Sequence, residues 1–194
     1  IVVCSWDGEE YGLTGSTEGG EHFKDELRKK GVAYLNVDSS ASGPNFDPQS
    51  VPSLAPLLVE ISKMLKDPSG KSLYAAWRET KQKSTKKKTD VTDAELVNTK
   101  IGSGSDHTVF LNHVGMTSVL LQFDGPYGVY HSMYDNFFWM NKFGDPGFKY
   151  HALMSQLWGV LALRLANAEI LPFDFAVYAA NLRTFVQELE KDAG

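Results

Sequence analysis

Residues Val2–Leu13 read VVCSWDGEEYGL, a short apolar run that ends abruptly in two adjacent acids. We interpret Ile1–Trp6 as a buried strand that carries Glu9 and Glu10 at its tip. Neighbouring side chains on an extended or turning backbone point in different directions, so one carboxylate can bind a metal ion while the other takes a proton from water. An isolated acid pair is more commonly a solvated turn, so this interpretation depends on the rest of the chain.

A helix and a second strand follow the acid pair. The spacing of apolar residues predicts a helix over Thr14–Lys30 with Phe23 and Leu27 facing inward, and then a strand over Val32–Asp38. A strand, a helix and a strand within about forty residues are typical of a crossover unit in a parallel sheet. Ligands of such sheets collect at the carboxyl ends of the strands, where the acid pair and Asp38 both fall.

The rest of the chain predicts more helices and one more strand, so the expected class is α/β. The helix predicted over 145–169 is apolar nearly all round, which indicates burial, whereas the last helix has one apolar face. We expect the lysine-rich stretch from Lys81 to Lys88 to form a solvated loop. The predicted elements are a strand at 117–123, helices near 53–66, 72–80, 145–169 and 174–190, and one or two helical turns at 108–113.

Composition limits the classes of function. The chain has 194 residues, 42% of them hydrophobic, which is enough for a domain with a core. Its net charge of -5 argues against a nucleic-acid partner despite the local lysines. Cys4 is the single cysteine, so neither an internal disulfide nor a cysteine-rich zinc site is possible. The most apolar region, Leu157–Ala168, is too short for a membrane span and is interrupted by Arg164.

Four candidate residues follow predicted strands or lie in the loop after one: Glu9, Glu10, Asp38 and His131. Carboxylate and imidazole ligands suit zinc, which in hydrolytic sites needs three protein ligands and an open position. Glu9 is then the candidate general base, and the other three are candidate metal ligands. Taken alone, Asp38 is more simply a cap or turn residue, and His131 an ordinary loop histidine.

Several motifs in order along the chain make it resemble the di-zinc exopeptidases of the glutamate carboxypeptidase and transferrin receptor group. The resemblance spans almost the whole chain, and the set of motifs is far more specific than any one of them. It implies an α/β fold with part of a mixed, mostly parallel sheet and flanking helices. The matching stretches are SWDGEEYGLTGSTE from Ser5, YLNVDSS from Tyr34, GKSLY from Gly70, GSGSD from Gly102, and YHSMYD from Tyr130.

The resemblance implies a role for each candidate metal-site residue. Glu9 matches the general base and Glu10 a ligand of one zinc ion. His131 matches the residue that shares this zinc with Glu10, and Asp38 matches a ligand of the second zinc. The family also needs an upstream histidine and a bridging aspartate, which we expect before Ile1. We therefore expect the chain to be a fragment of a zinc-dependent peptidase that is inactive by itself and binds zinc weakly.

The resemblance also implies residues that contact the substrate. Tyr130 matches the tyrosine that donates a hydrogen bond to the substrate carbonyl or the tetrahedral oxyanion. Ser103, Gly104 and Ser105 match the wall that receives the N-terminal side of the peptide. Where glutamate carboxypeptidases carry two arginines, this chain has Leu120 and Gln122, and Ser105 replaces an asparagine. The resemblance therefore leaves open whether an acidic residue before the scissile bond is preferred.

Domain boundaries, partners and location are also expectations from the resemblance. Residues 1–170 match the C-terminal part of a peptidase domain, and residues 171–194 match the start of a following helical region. The parent would bind two zinc ions and a peptide, dimerise through a helical domain outside this chain, and resemble single-pass membrane proteins with an extracytoplasmic or vacuolar catalytic domain. The fragment itself is expected to self-associate. The alternatives are a non-catalytic receptor or sorting protein with the same fold and a mononuclear hydrolase.

Overall fold

A computed structural model describes residues 1–85 and 90–193, and a mixed four-stranded sheet lies at its centre. Strand β1 (Ala33–Ala41) pairs in parallel with β4 (Thr117–Asp124). Two short strands, β2 (Asn45–Phe46) and β3 (Gln49–Ser50), pair with β4 in the antiparallel sense. The α/β class and both of the longer predicted strands are confirmed, whereas β2 and β3 were not predicted from the sequence.

Helices flank the sheet at most of the predicted places, and two π-helical turns also lie within residues 1–85 and 90–193. The first of these turns continues α6 and the second continues α7. The helices are α1 (Thr14–His22), α2 (Lys24–Lys30), α3 (Ala55–Met64), α4 (Leu73–Thr85), α5 (Asp93–Leu96), α6 (His107–Val109), α7 (Phe137–Trp139), α8 (Lys149–Ala166) and α9 (Phe175–Ala193), and the π-helical turns are Phe110–Val114 and Met140–Gly144.

The prediction of a buried strand over Ile1–Trp6 is wrong for this structure. The segment has no regular secondary structure, and the side chains of Ile1, Val2 and Val3 are exposed. A strand needs a neighbour for its backbone groups, and among the described residues none pairs with this segment. The apolar run therefore finds no partner within the described part of the chain, and only Trp6 at its end is half-buried.

The helix predicted over 14–30 is broken at Phe23, and the prediction that Phe23 faces inward is wrong. Phe23 adopts φ -96° and ψ 11° between α1 and α2, and its side chain is 52% exposed. Gly19 and Gly20 just before it weaken the helix, because glycine has a low helix propensity. A Cβ atom at Gly20 would lie 2.5 Å from Val109, so glycine there lets α1 pack closely against α6.

Helix α8 begins four residues later than predicted and is not buried all round. Asp145 precedes the helix, and its buried carboxylate accepts hydrogen bonds from the backbone N–H groups of Lys149, Tyr150 and His151 and from the His151 ring. The inward face of α8 packs on the sheet, whereas Leu163 on the outward face is 54% exposed. An apolar composition thus predicted burial that only one face receives.

Two other helices also differ from the sequence-based expectation. Helix α4 includes Lys81 and Lys83, so the predicted lysine loop is wrong for these two residues, and Lys86–Lys88 lie outside the described residues. Helix α9 has the predicted single apolar face, but none of its described residues is buried. Among the helices of residues 1–85 and 90–193, none has both the length and the apolarity that crossing a membrane requires.

The sheet separates two apolar cores. The larger core contains Val119, Leu121 and Phe123 of β4 together with side chains of α3, α4 and α8. The smaller core lies on the opposite side, where Phe110 packs with Trp6 and Tyr34. Since side chains alternate along a strand, every second residue of β1 and β4 faces the smaller core. The candidate residues Asp38, Leu120 and Gln122 belong to this second set.

Candidate functional site

The acid pair lies in a tight 3-10 turn, Glu9–Tyr11, bounded by two glycines in the left-handed conformation. Gly8 has φ 69° and Gly12 has φ 96°, values that few other residues adopt without strain. The Glu9 carbonyl accepts hydrogen bonds from the N–H groups of Gly12 and Leu13 at 3.1 and 2.8 Å. The turn therefore holds its shape through its own backbone, although the predicted strand before it is absent.

Aromatic contacts attach this turn to the sheet. The indole N–H of Trp6 donates a hydrogen bond to the Tyr34 hydroxyl of β1 at 2.8 Å. Tyr34 in turn stacks on Phe110, with ring centroids 4.0 Å apart. Gly19 of α1 passes so close to the Trp6 ring that an added Cβ would lie 2.6 Å from it. These contacts place the acid pair beside the smaller core.

The loop after β4 carries Tyr130 and His131 in a constrained conformation. His131 has φ 58°, in the left-handed region that non-glycine residues seldom occupy. The Tyr127 hydroxyl donates a hydrogen bond to the Asp135 carboxylate across the loop. The Tyr130 ring stacks on the His131 imidazole with centroids 3.8 Å apart. The loop is thus tied at both ends, and its two candidate residues are held side by side.

The structure brings His131 and Glu10 into direct contact. His131 Nε2 lies 3.1 Å from Glu10 Oε1, and both side chains are more than half exposed. An imidazole nitrogen and a carboxylate oxygen that lie together at the protein surface are a donor set that fits zinc. Two of the three predicted metal ligands are therefore adjacent, although they come from opposite parts of the chain.

The third predicted ligand, Asp38, lies at an irregularity of β1. Pairing with β4 is regular from Ala33 to Val37, shifts in register, and resumes at Ala41. Such a bulge redirects the side chains within it and is common beside active sites. Asp38 is exposed, and its Oδ2 accepts a hydrogen bond of 2.8 Å from the Ser105 hydroxyl.

Glu9 lies in the electrostatic field of all the predicted ligands. Burial raises the pKa of its carboxyl above the ordinary value of 4.5, and the negative charges of Asp38, Glu10 and Asp106 raise it further, while His131 opposes them. Burial also raises the pKa of the Tyr130 phenol, as do the charges of Asp38, Glu10 and Glu9. A raised pKa increases the affinity of the Glu9 carboxyl for a proton, as the predicted general base requires.

The remaining contacts show which candidates meet and which do not. Among the described residues, no three Asp, Glu, His or Cys side chains are close enough together to hold a metal ion. Asp38 is hydrogen-bonded to Ser105, and the Ser103 hydroxyl lies 2.9 Å from that of Thr108. Gly104 has φ 110° with open space where a side chain would project. The clustering of Glu10, Asp38 and His131 around a metal ion stays a prediction.

Two neighbours of the site were missed as functional residues by the sequence analysis. Asn36 is 3% exposed, and its Nδ2 donates a hydrogen bond to Ser105 Oγ at 2.9 Å. Asp106 raises the pKa of Glu9, and its buried Oδ1 has no hydrogen-bond partner among the residues that the structure describes. Asn36 precedes Asp38 by two positions on one strand, so the period of the strand is the signal that places them on one face. Asp106 is the last residue of the GSGSD stretch that carries the family resemblance, and this is the signal that could have found it.

Comparison with known proteins gives consistent relatives. The chain is 40% identical over 194 residues to "Probable glutamate carboxypeptidase LAMP1" of Arabidopsis thaliana, covering 99% of this chain and 27% of that protein. It is 40% identical over 191 residues to "Probable glutamate carboxypeptidase VP8" of Zea mays, covering 97% and 25%. It is 31% identical over 205 residues to "Aminopeptidase NAALADL1" of Rattus norvegicus, covering 100% and 27%.

The chain thus spans about a quarter of the length of these curated relatives, at 25–27% of each. The sequence model of Peptidase family M28 matches residues 1–143, which include the acid pair, Asp38, Ser105 and His131. This match and the relatives confirm the family expected from the motifs. Because the match covers well over half of its residues, the chain belongs to peptidase family M28.

Proposed function

We propose that this chain supplies part of the active site of a zinc-dependent exopeptidase of the glutamate carboxypeptidase type, which hydrolyses peptide bonds as a longer protein. The observation that carries the proposal is the 3.1 Å contact between His131 Nε2 and Glu10 Oε1, with Glu9 next to it in the same turn. In this proposal Glu10 and His131 hold one zinc ion and Asp38 contributes to a second. The other ligands come from outside residues 1–194.

The donor chemistry of the site supports zinc. Imidazole and carboxylate are the ligands zinc uses in hydrolytic enzymes, and Glu10 and His131 already meet at a common point. When bound there, zinc would act as a Lewis acid on the scissile carbonyl and lower the pKa of water. Asp38 accepts a hydrogen bond from Ser105, and the family resemblance assigns it to the second ion.

Glu9 is the proposed general base and then general acid. It has a raised pKa because it is partly buried among other acids, which increases its affinity for a proton. It would take a proton from the attacking water and return it to the departing amine. The turn geometry keeps Glu9 beside Glu10 while the two side chains serve different tasks.

Tyr130 is the proposed donor to the developing oxyanion. Its phenol has a raised pKa and therefore stays protonated and able to donate at neutral pH. Stacking on His131 keeps its ring beside the proposed metal site. A fixed donor directed at developing negative charge is a large contribution to catalysis in acyl transfer.

Substrate preference is proposed from the neutral residues of β4. Asn36 of β1 pairs with Leu120, and Gln122 follows two positions later, so both side chains lie on the face of the sheet that carries Asp38. Neither side chain offers a positive charge to an acidic residue of the peptide. Ser103 and Gly104 remain the proposed wall for the N-terminal side of the substrate. We therefore expect peptides with neutral residues before the scissile bond to be accepted.

The test uses a longer protein that contains residues 1–194, loaded with zinc and offered dipeptides with neutral or acidic first residues. We expect zinc-dependent hydrolysis in the unsubstituted protein and none in Glu9→Gln. Glu18→Gln should retain the activity, because Glu18 is an exposed acid on α1. Zinc content without hydrolysis in the unsubstituted protein would favour the non-catalytic receptor instead. The 194-residue chain alone is expected to bind zinc weakly and to hydrolyse nothing.

A further inference from the structure

A chain of buried polar groups ends at the Asp38 carboxylate. Asn36 Nδ2 donates to Ser105 Oγ at 2.9 Å, and Ser105 Oγ donates to Asp38 Oδ2 at 2.8 Å. Asn36 is 3% exposed and Ser105 is 2% exposed, whereas Asp38 is exposed. The buried Asn36 and Ser105 thus form a hydrogen-bonded chain that ends at the exposed Asp38 carboxylate.

The direction of these hydrogen bonds follows from the chemistry of the groups. The amide nitrogen of Asn36 can only donate, so it occupies a lone pair of the Ser105 hydroxyl. The hydroxyl has a single hydrogen, and an ionised carboxylate can only accept it. The hydrogen of Ser105 is therefore committed to Asp38 Oδ2, and Oδ1 is left for another ligand.

Asp38 needs such support because little else fixes its side chain. The register of β1 against β4 shifts between Val37 and Ala41, so the regular ladder does not hold the backbone at Asp38. The exposed side chain also lacks close packing. A hydrogen bond from a buried serine, itself held by a buried asparagine, supplies the missing constraint.

We infer that Asn36 and Ser105 are positioning residues that fix the Asp38 carboxylate in the orientation needed to bind a metal ion. This inference rests on the proposed function, because it takes Asp38 as a metal ligand. It also changes the role of Ser105, which acts through Asp38 instead of touching the peptide. Partners that orient a ligating carboxylate commonly change metal affinity by about 10- to 100-fold when removed.

The first test measures the orientation of Asp38 without metal. Three-bond couplings to Asp38 Cγ, recorded by NMR on the 194-residue chain, report the χ1 rotamer populations. One dominant Asp38 rotamer is expected in the unsubstituted chain and in Ser105→Thr, which keeps the hydroxyl. Couplings averaged over several Asp38 rotamers are expected in Ser105→Ala and Asn36→Ala. Ser62→Ala is the matched control, because Ser62 is a fully buried serine of α3 that donates to the Val59 carbonyl. A single Asp38 rotamer in both Ser105→Ala and Asn36→Ala would overturn the inference.

The second test measures affinity for zinc ions alone by calorimetry on the same variants. Ser105→Ala is expected to weaken binding about tenfold, with recovery in Ser105→Thr and no change in Ser62→Ala. Unchanged affinity in Ser105→Ala together with weakened affinity in Asp38→Asn would overturn the positioning role and leave the proposed function intact. Unchanged affinity in Asp38→Asn would instead remove Asp38 from the metal site, and with it the proposed function.

Discussion

His131 Nε2 lies 3.1 Å from Glu10 Oε1, although one residue belongs to the turn near the start of the chain and the other to the loop after β4. Gly8 and Gly12 around the acid pair adopt left-handed conformations without strain, whereas His131 is held in a strained left-handed conformation that non-glycine residues seldom occupy. Strain of this kind costs free energy and concentrates at functional sites. The contact is therefore the point on which the predictions for metal binding depend.

Glu10→Gln should weaken zinc binding by about 100-fold, because one of the two ligands that the chain supplies to this ion loses its charge. The amide keeps the shape of the side chain but loses its charge. Calorimetric titration with zinc on the 194-residue chain checks this. Glu18→Gln, an exposed acid on α1, should leave the affinity unchanged. Equal affinities for the two variants would remove Glu10 from the ligand set.

Tyr130→Phe should lower kcat of the zinc-loaded longer protein by about 100-fold with little change in KM, because an oxyanion donor acts mainly in the transition state. The phenyl ring can still stack on His131, so the loop should keep its shape. Tyr134→Phe in the same loop is the control, since Tyr134 is exposed. A Tyr130→Phe enzyme with normal kcat would show that another group serves the oxyanion.

Asp145→Asn should lower the free energy of unfolding by about 2–4 kcal/mol at neutral pH, because a buried carboxylate loses its charge-assisted hydrogen bonds at the start of α8. Burial alone would raise the Asp145 pKa, but hydrogen bonds from the His151 ring and the His151 and Tyr150 N–H groups outweigh it, and the pKa lies below 3.8.

The lowered pKa of Asp145 fixes the sign of the pH dependence. Its stabilising contribution is present above 3.8, the ordinary value, and is lost as the pH falls through the lower value in the folded chain. The difference in unfolding free energy between Asp145→Asn and the unsubstituted chain should therefore become smaller in acid. Denaturant unfolding from neutral pH to below pH 3 measures it, with Asp25→Asn on α2 as an exposed control. A difference in unfolding free energy that is constant with pH would mean that the charge of Asp145 does not stabilise the fold.

Self-association of the 194-residue chain should depend on α9. On its apolar face, Leu182 is 49% exposed and Leu189 is 69% exposed. Exposed apolar faces of this kind pack against other helices. Light scattering should give a mass above the monomer for the unsubstituted chain and the monomer mass for Leu182→Glu with Leu189→Glu. Gln187→Glu adds charge on the opposite side of the helix and should still associate. A monomeric unsubstituted chain would contradict this prediction.

Local sequence patterns correctly predicted the strands that pack against other described parts of the chain. Strands β1 and β4 alternate apolar residues that pack into the larger core, so the sequence marked both. Ile1–Trp6 has an equally apolar pattern, but the described residues offer it no pairing strand, and the pattern alone cannot reveal that. Composition likewise predicted full burial of α8, because it does not say how many faces of a helix meet a neighbour.

The sequence predicted some residues of the candidate site and missed others. Motifs identified Glu10 and His131, and the structure places them in contact. The role of Asn36 depends on a hydrogen bond to Ser105, 69 positions away, and no local pattern encodes such a bond. The close approach of α1 to α6 at Gly20 and Val109 is equally nonlocal.

The most direct test of the metal site is an anomalous difference map, collected at the zinc edge from crystals of the 194-residue chain soaked in zinc. We expect a peak about 2.0–2.2 Å from both Glu10 Oε1 and His131 Nε2, and a second, weaker peak beside Asp38. Crystals of His131→Ala should lose the first peak and keep the second. Zinc bound at full occupancy elsewhere, with Glu10 and His131 still facing each other and unliganded, would show that these two residues do not form the zinc site.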